Sequence, residues 1–321
     1  MSTRGHIPVL LEEVMTGLAP RAGDAYLDCT TGLGGHAEAA AARVGASGTV
    51  VLNDLDAGNL EAGRARLAGL DGPPRVVTLH GNFADAPRRM VDAGLSADCV
   101  VADLGFASNQ VDDAARGLSF MREGPLDMRL DRGGTTRSAA DLVNTLSEPE
   151  LGEIIREYGE EKAWRAIAAK IVSERAAGPI STTSRLASIV RSCLSRHASG
   201  GIDPATRTFQ ALRIAVNDEL GSLRSLTESV LRAATLMAVA RRNGAEPPRT
   251  WLRPGARVAI ISFHSLEDRL VKDLGAALKE RRLGEALSRR PVEAGDPERD
   301  ANPRSRSAKL RVFRLTDATG R

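Results

Sequence analysis

What this chain has little of narrows its function first. Aromatic residues make up only 3% of its 321 positions, with two Trp, two Tyr and six Phe. Any ring that stacks on a base or a cofactor must come from that short set. Cysteine is as scarce. The three thiols, Cys29, Cys99 and Cys193, are odd in number and show no C-x-x-C spacing, which excludes a disulfide framework and fits a reducing compartment. The five histidines and three cysteines lack ligand spacing, so no metal is expected. No uncharged run approaches the length that spans a bilayer, and no apolar run of signal-peptide length follows Arg4. Neither a membrane nor secretion is expected. Repeats and low-complexity tracts are missing too, which leaves a globular composition of 42% hydrophobic and 26% charged residues.

The charge is small in sum and uneven in place. Residues 241–321 carry a net +8, and the rest of the chain carries −5. A basic quarter on a near-neutral body suits a nucleic-acid partner. Arg supplies 39 of the 44 basic residues, so an Arg-rich, Ala-rich bias accounts for part of the pattern.

The densest signal lies near the N-terminus. Tyr26-Leu27-Asp28 reads as the end of a buried strand, Gly32, Gly34 and Gly35 as a turn, and residues 37–42 as a helix. A second apolar strand, residues 48–53, ends in Asp54 and Asp56. Strand, glycine turn, helix and an acid at the next strand's tip is how a doubly wound α/β fold grips a nucleoside. Glycines let backbone N–H groups approach the ligand, and the acid accepts from ribose hydroxyls. The spacing Gly32-x-Gly34-Gly35 departs from the dinucleotide pattern G-x-G-x-x-G. An Asp ahead of the glycines suits a cationic ligand such as S-adenosylmethionine.

Strand–helix units continue through residue 105. Strands are expected at 75–80 and at 97–102, the latter ending in Asp103, with helical runs to Ala68 and over residues 83–93. Asp28, Asp54 and Asp103 would then share the carboxyl edge of a sheet, where such folds bind ligands. A single strand-end Asp is usually a helix cap; three on successive strands point to a site. Residues 106–135 are loop-rich, and 138–199 read as purely helical, with a capping box at Ser147-Glu148-Pro149-Glu150. Helix from Thr208 to about Arg241, a strand at 257–263, a helix over 266–282, a polar loop over 284–303 and a strand at 308–314 complete the reading. The division expected is a first sheet part (1–109), a loop plus helical insertion (110–203) and a second sheet part (204–321).

Several segments together resemble one family. They are residues 6–14, Gly34-Gly35-His36, Asp103-Leu104-Gly105, Gln110-Val111-Asp112-Asp113, residues 116–120, residues 124–129 (Gly-Pro-Leu-Asp-Met-Arg), residues 158–161, residues 204–214, residues 261–269 and residues 302–307. In this order they resemble the MraW (RsmH) family, bacterial methyltransferases that modify N4 of a cytidine in 16S rRNA. The resemblance runs from His6 to Arg314.

That resemblance implies a class I S-adenosylmethionine-dependent methyltransferase fold, a Rossmann-like doubly wound sheet with an inserted all-helical domain. It also implies a cytoplasmic enzyme acting on 16S rRNA in the small subunit or its precursor, and it is compatible with a homodimer. The positions matching the family's cofactor contacts are Gly34, Gly35, His36, Asp54, Phe83, Asp103 and Gln110. Asp56 rivals Asp54 for the ribose, Phe83 could be ordinary core, and His36 could simply cap a helix. Asp103 and Asn109 are the expected acceptors for the N4 amino protons. Phe106 and Phe120 are the expected platforms for an unstacked base. Arg207, Arg304, Arg306 and Lys309, together with Arg213 and Arg311, are the candidates for phosphate contacts, with a solvated surface or internal pairing as the alternatives. His264, ahead of Ser265-Leu266-Glu267, reads as a helix cap rather than a base. The chain departs from the family at Phe106-Ala107-Ser108-Asn109, where Val-Ser-Ser-Pro is usual. The alternatives are a diverged methyltransferase acting on another RNA or on DNA, a non-catalytic RNA-binding assembly factor, and a nicotinamide oxidoreductase, which the loop spacing disfavours.

Overall fold

A computed structural model describes residues 7–134, 136–194, 203–246 and 248–317. His6 and the end of the expected helical stretch, residues 195–199, lie outside the described residues. Two compact units emerge: Met1–Gly105 with Leu220–Arg321, and Phe106–Glu219.

The first unit is built on a sheet. Its strands are β1 (Ala25–Asp28), β2 (Thr49–Asp54), β3 (Arg75–His80), β4 (Ala97–Asp103), β5 (Leu252–Ser262), β6 (Gly284–Ala286) and β7 (Lys309–Leu315). Their order is β3-β2-β1-β4-β5-β7-β6. The first five run parallel, and β7 is antiparallel to both β5 and β6. Parallel strands buried on both faces read as near-continuous apolar runs. β2 and β4, with Thr-Val-Val-Leu and Cys-Val-Val-Ala at their centres, are of that kind. Helices α1 (Leu11–Leu18), α2 (Gly35–Val44), α3 (Ala57–Ala68) and α4 (Ala86–Asp92) precede the insertion. One apolar layer joins α1 and α2 to the sheet through Val14, Leu18, Ala37, Ala40, Val50 and Ile261. The opposite layer joins the sheet to the long helix of residues 219–242 through Val100, Leu226, Val230 and Ile260.

The second unit is helical: α5 (Ser108–Asp112), α6 (Ala139–Thr145), α7 (Glu148–Gly159), α8 (Trp164–Ala176), α9 (Thr183–Ser192) and α10 (Thr206–Asn217). As the capping box predicts, the Ser147 N–H donates to the Glu150 carboxylate at 2.8 Å. Leu151, Ile155, Ile167, Ile171, Leu186 and Phe209 fill its separate core.

Three expectations are corrected. The helix read as continuous from Thr208 to Arg241 breaks at Asp218, whose φ of 46° is left-handed, giving α10 and α11 (Glu219–Arg242). The return to the sheet unit expected at residue 204 comes at Leu220, because α10 buries Phe209, Leu212 and Val216 in the helical core. The loop read over 284–303 contains β6 and α13 (Asp296–Ala301), after α12 (Ser265–Glu280).

Candidate active site

The strand order reverses between β1 and β4, and ligands of open α/β sheets bind outside the carboxyl ends of strands at such a point. Those ends carry Asp28 and Asp103. β2, on the other side of β1, ends in Asp54.

Each acid is held differently. The Asp28 carboxylate accepts from the Thr30 N–H at 3.1 Å, and burial pushes its pKa up to about 7, helped by the charge of Asp54 and opposed by that N–H. Asp54 is a hub. It accepts from the N–H groups of Gly32 and Asp56, both at 2.8 Å, and from the Asn59 amide at 3.3 Å. Burial still raises its pKa from the ordinary Asp value, against those three donors. Its rival Asp56 caps α3 by accepting from the Gly58 N–H at 2.9 Å. Asp103 donates its own N–H to the Thr30 hydroxyl at 2.7 Å, yet its buried Oδ1 has no hydrogen-bond partner among the described residues. Burial pushes Asp103 up to about 8, with Asp28 and Glu267 adding to the rise and Arg304 opposing it.

The glycine turn serves packing as well as access. Gly34 has φ 78°, and a Cβ there would sit 2.9 Å from the Gly63 Cα of α3. A Cβ on Gly35 would stand 2.2 Å from Pro8 Cγ. The turn thus brings α3 and the N-terminal segment close, and the N-cap of α2 is Gly34, which has no side chain to cap its first N–H groups. His36 does not cap α2. It is buried, its Nε2–H donates to the Val9 carbonyl at 2.9 Å, and its Nδ1 lies 4.0 Å from Asp103 Oδ2. Phe83 opens a short turn after β3 and packs, partly buried, against the sheet core.

An amino-acid zwitterion bearing a sulfonium and a nucleoside fits these groups. The uncapped N-terminus of α2 favours a carboxylate. The buried, unpartnered oxygen of Asp103 favours a cation, as does Asp28. Asp54 anchors the loop and has acceptor capacity left beyond its three donors.

The other candidates lie in the helical unit or in the C-terminal part of the sheet unit. Gln110 is buried, and its Oε1 accepts from the Ala107 N–H at 2.9 Å; Asn109 is exposed on α5. The Arg213 guanidinium lies 4.7 Å from the Phe106 ring centre and grips Glu219 through two bonds of 2.7 and 2.8 Å. Phe120 packs edge-on to Phe209 at 4.9 Å, with Arg191 at 5.5 Å. Arg207 donates to the Glu160 carbonyl at 3.1 Å. Lys309 and Arg311 share Asp268 at 3.7 and 2.7 Å. Internal partners therefore engage Arg207, Arg213, Lys309 and Arg311, the alternative weighed for them, whereas Arg306 is exposed. Two residues escaped the sequence reading. Thr30 ties the β1 loop to Asp103, and its only signal was its place after the strand-end Asp. Glu267 is buried in the first turn of α12 and its charge raises the pKa of Asp103; in sequence nothing sets it apart from other first-turn helix acids. It receives the Phe263 N–H at 2.8 Å. His264 caps α12 as read, its Nδ1 accepting from the Glu267 N–H at 3.4 Å.

Acids at the carboxyl ends of three parallel strands about a switch point, in a sheet that closes with an antiparallel strand, are the arrangement of an α/β methyltransferase. The sequence profile described as the MraW methylase family matches residues 3–242 and 243–316. The ribosomal RNA small subunit methyltransferase H of Acidobacterium capsulatum is 42% identical over 318 residues, covering 97% of this chain and 99% of its own length. Those of Pelobacter propionicus and Gluconobacter oxydans are each 44% identical, covering 96% of this chain and 97% and 93% of theirs. The chain belongs to the MraW methylase family.

Proposed function

We propose that this chain transfers the methyl group of S-adenosylmethionine to N4 of a cytidine in 16S rRNA, held in the small ribosomal subunit or its precursor in the cytoplasm. The observation that carries the reading is the unpartnered buried oxygen of Asp103 at the switch point, beside Asp28 and the uncapped α2, in a chain of this family. The cofactor supplies an electrophilic methyl on sulfur. Gly34, Gly35 and His36 at the start of α2 hold its carboxylate end, with Asp28 and Asp103 balancing its cationic end. Asp54 receives the ribose, and Phe83 and Gln110 complete the contacts.

Cytosine N4 is a weak nucleophile because its lone pair is delocalised into the ring. Asp103, as a carboxylate, accepts an N4–H hydrogen bond and localises that lone pair. Asn109 offers a second acceptor through Oδ1. In the transfer the methyl carbon's bond to sulfur would be exchanged for one to N4, the electron pair staying on sulfur; the excess N4 proton would pass to Asp103, and positioning would supply much of the remaining rate. Phe106 or Phe120 stacks on the unstacked base, with Arg207, Arg304, Arg306 and Lys309 near the RNA backbone.

The test is label transfer from S-adenosylmethionine to small subunits lacking the modification, followed by nucleoside analysis. The expected product is N4-methylcytidine, lost with Asp103→Ala. Cofactor binding with no labelled nucleoside would instead support a non-catalytic binding role.

A further inference from the structure

Beyond β7 the sheet has an irregular edge. The Leu287 N–H donates to the Val312 carbonyl at 2.8 Å. Val292 then exchanges two bonds of 2.9 Å with Leu310. Residues 288–291 therefore stand opposite Arg311 alone, a bulge closed by the Ser288 hydroxyl donating to the Arg290 carbonyl at 2.7 Å. Arg289 and Arg290 ride on this bulge. Both are exposed, and neither side chain makes an ion pair or hydrogen bond among the described residues. The nearest acid in sequence, Glu293, is engaged by Arg299 at 3.7 Å.

Sheet register fixes where the bulge ends. Asp103 pairs with Ile261, Ile261 with Leu310, and Leu310 with Val292. Val292 and Asp103 thus share one row, three strand spacings or about 14 Å apart. Exposed Arg306 lies three residues before Lys309, which pairs with Ser262 one step further toward the carboxyl edge of the sheet. Bulges next to active sites re-aim side chains.

We propose that Arg289 and Arg290 form a phosphate clamp for the RNA backbone flanking the target nucleotide, with Arg306 extending the track. The proposal rests on the RNA-methyltransferase reading above and moves the phosphate contact away from Arg311, which Asp268 engages. Bulges, charges and prolines also guard sheet edges against pairing with other chains, and Pro291 sits here too. Edge guarding works with charge of either sign. A phosphate clamp needs positive charge.

The sign is therefore the test. Wild type, the double variant Arg289→Glu/Arg290→Glu and the double variant Arg289→Lys/Arg290→Lys are compared on small subunits lacking the modification. S-adenosylmethionine affinity serves as the folding control. The Glu pair is expected to weaken RNA binding more than tenfold at about 0.15 M salt and to flatten the log K against log salt slope by about 1.4, two contacts at about 0.7 each. The Lys pair is expected to retain the slope, because point charges serve phosphates. An unchanged slope and KM for the Glu pair, with wild type active, overturns the clamp alone. A Glu pair that in addition stays free of self-association would assign the charges of the bulge to edge guarding. Wild type that methylates no rRNA overturns the underlying reading and the clamp together.

Discussion

Asp103 is a carboxyl placed where it is needed as a carboxylate. Folded, its pKa stands at about 8 and that of Asp28 at about 7, against about 3.9 for an Asp in an unfolded chain. Between those values the folded protein binds more protons than the unfolded one, so both groups make stability fall as pH rises. The melting temperature of the ligand-free protein is expected to drop from pH 5 to pH 8. Asp103→Asn, which cannot ionise, should recover a few degrees at pH 8 while lowering methyl transfer on the order of a hundredfold or more. A flat melting profile across that range would sink the assignment. The same groups couple to the cofactor. A cationic ligand favours the ionised carboxylates, so binding should release protons near neutral pH and tighten from pH 6 to 8. Calorimetry in buffers of differing ionisation heat reads that release directly.

At the level of elements, the acids at the ends of β1, β2 and β4 were legible because strand, glycine turn and helix are local patterns. The edge was not. Gly284-Glu285-Ala286 has no apolar alternation, and β6 exists only because β7 offers it hydrogen bonds. Nor is the break at Asp218 marked by more than the weak helix formers Asn217 and Asp218, since helical apolar spacing continues on both sides. The contacts that set Asp103's charge are equally non-local, since Arg304 and Glu267 lie more than 160 positions away and meet it only through the sheet. The end of α10 shows what the break accomplishes. It brings Glu219 back onto Arg213, with side chains only 12% and 13% exposed, and Arg213 in turn lies against Phe106. Removing one partner of such a pair leaves a nearly buried charge, so Arg213→Ala should cost about 3 kcal/mol in a denaturant titration. Phe106→Ala should cost less than about 1 kcal/mol, yet raise the KM for rRNA several-fold. Equal stability losses would make Phe106 a packing residue rather than a platform.

The whole molecule is threaded so that one unit is continuous and the other is not. The sheet unit needs both Met1–Gly105 and Leu220–Arg321, since β5 pairs with β4 across the insertion and β7 completes its edge. The helical unit, Phe106–Glu219, comes from one stretch and, among the described residues, buries nineteen in a core of its own, including Leu151, Ile155, Ile171, Val190 and Leu212. Its tight loops close on themselves as well. A Cβ on Gly117 would fall 2.0 Å from the Pro125 carbonyl oxygen, and one on Gly124 would fall 1.9 Å from that of Ala114. Asn217 ties the segment to α10 by accepting from the Leu130 N–H and donating to the Met128 carbonyl, both at 2.9 Å. A stretch of this size with its own core is long enough to fold alone. Expressed by itself, residues 106–219 should give a helical circular-dichroism spectrum and one cooperative thermal transition. Glycine-to-alanine changes at Gly117 or Gly124 should abolish that transition. A fragment that melts gradually, without a baseline, would mean that the insertion takes its order from the sheet unit and is not an independently folding domain.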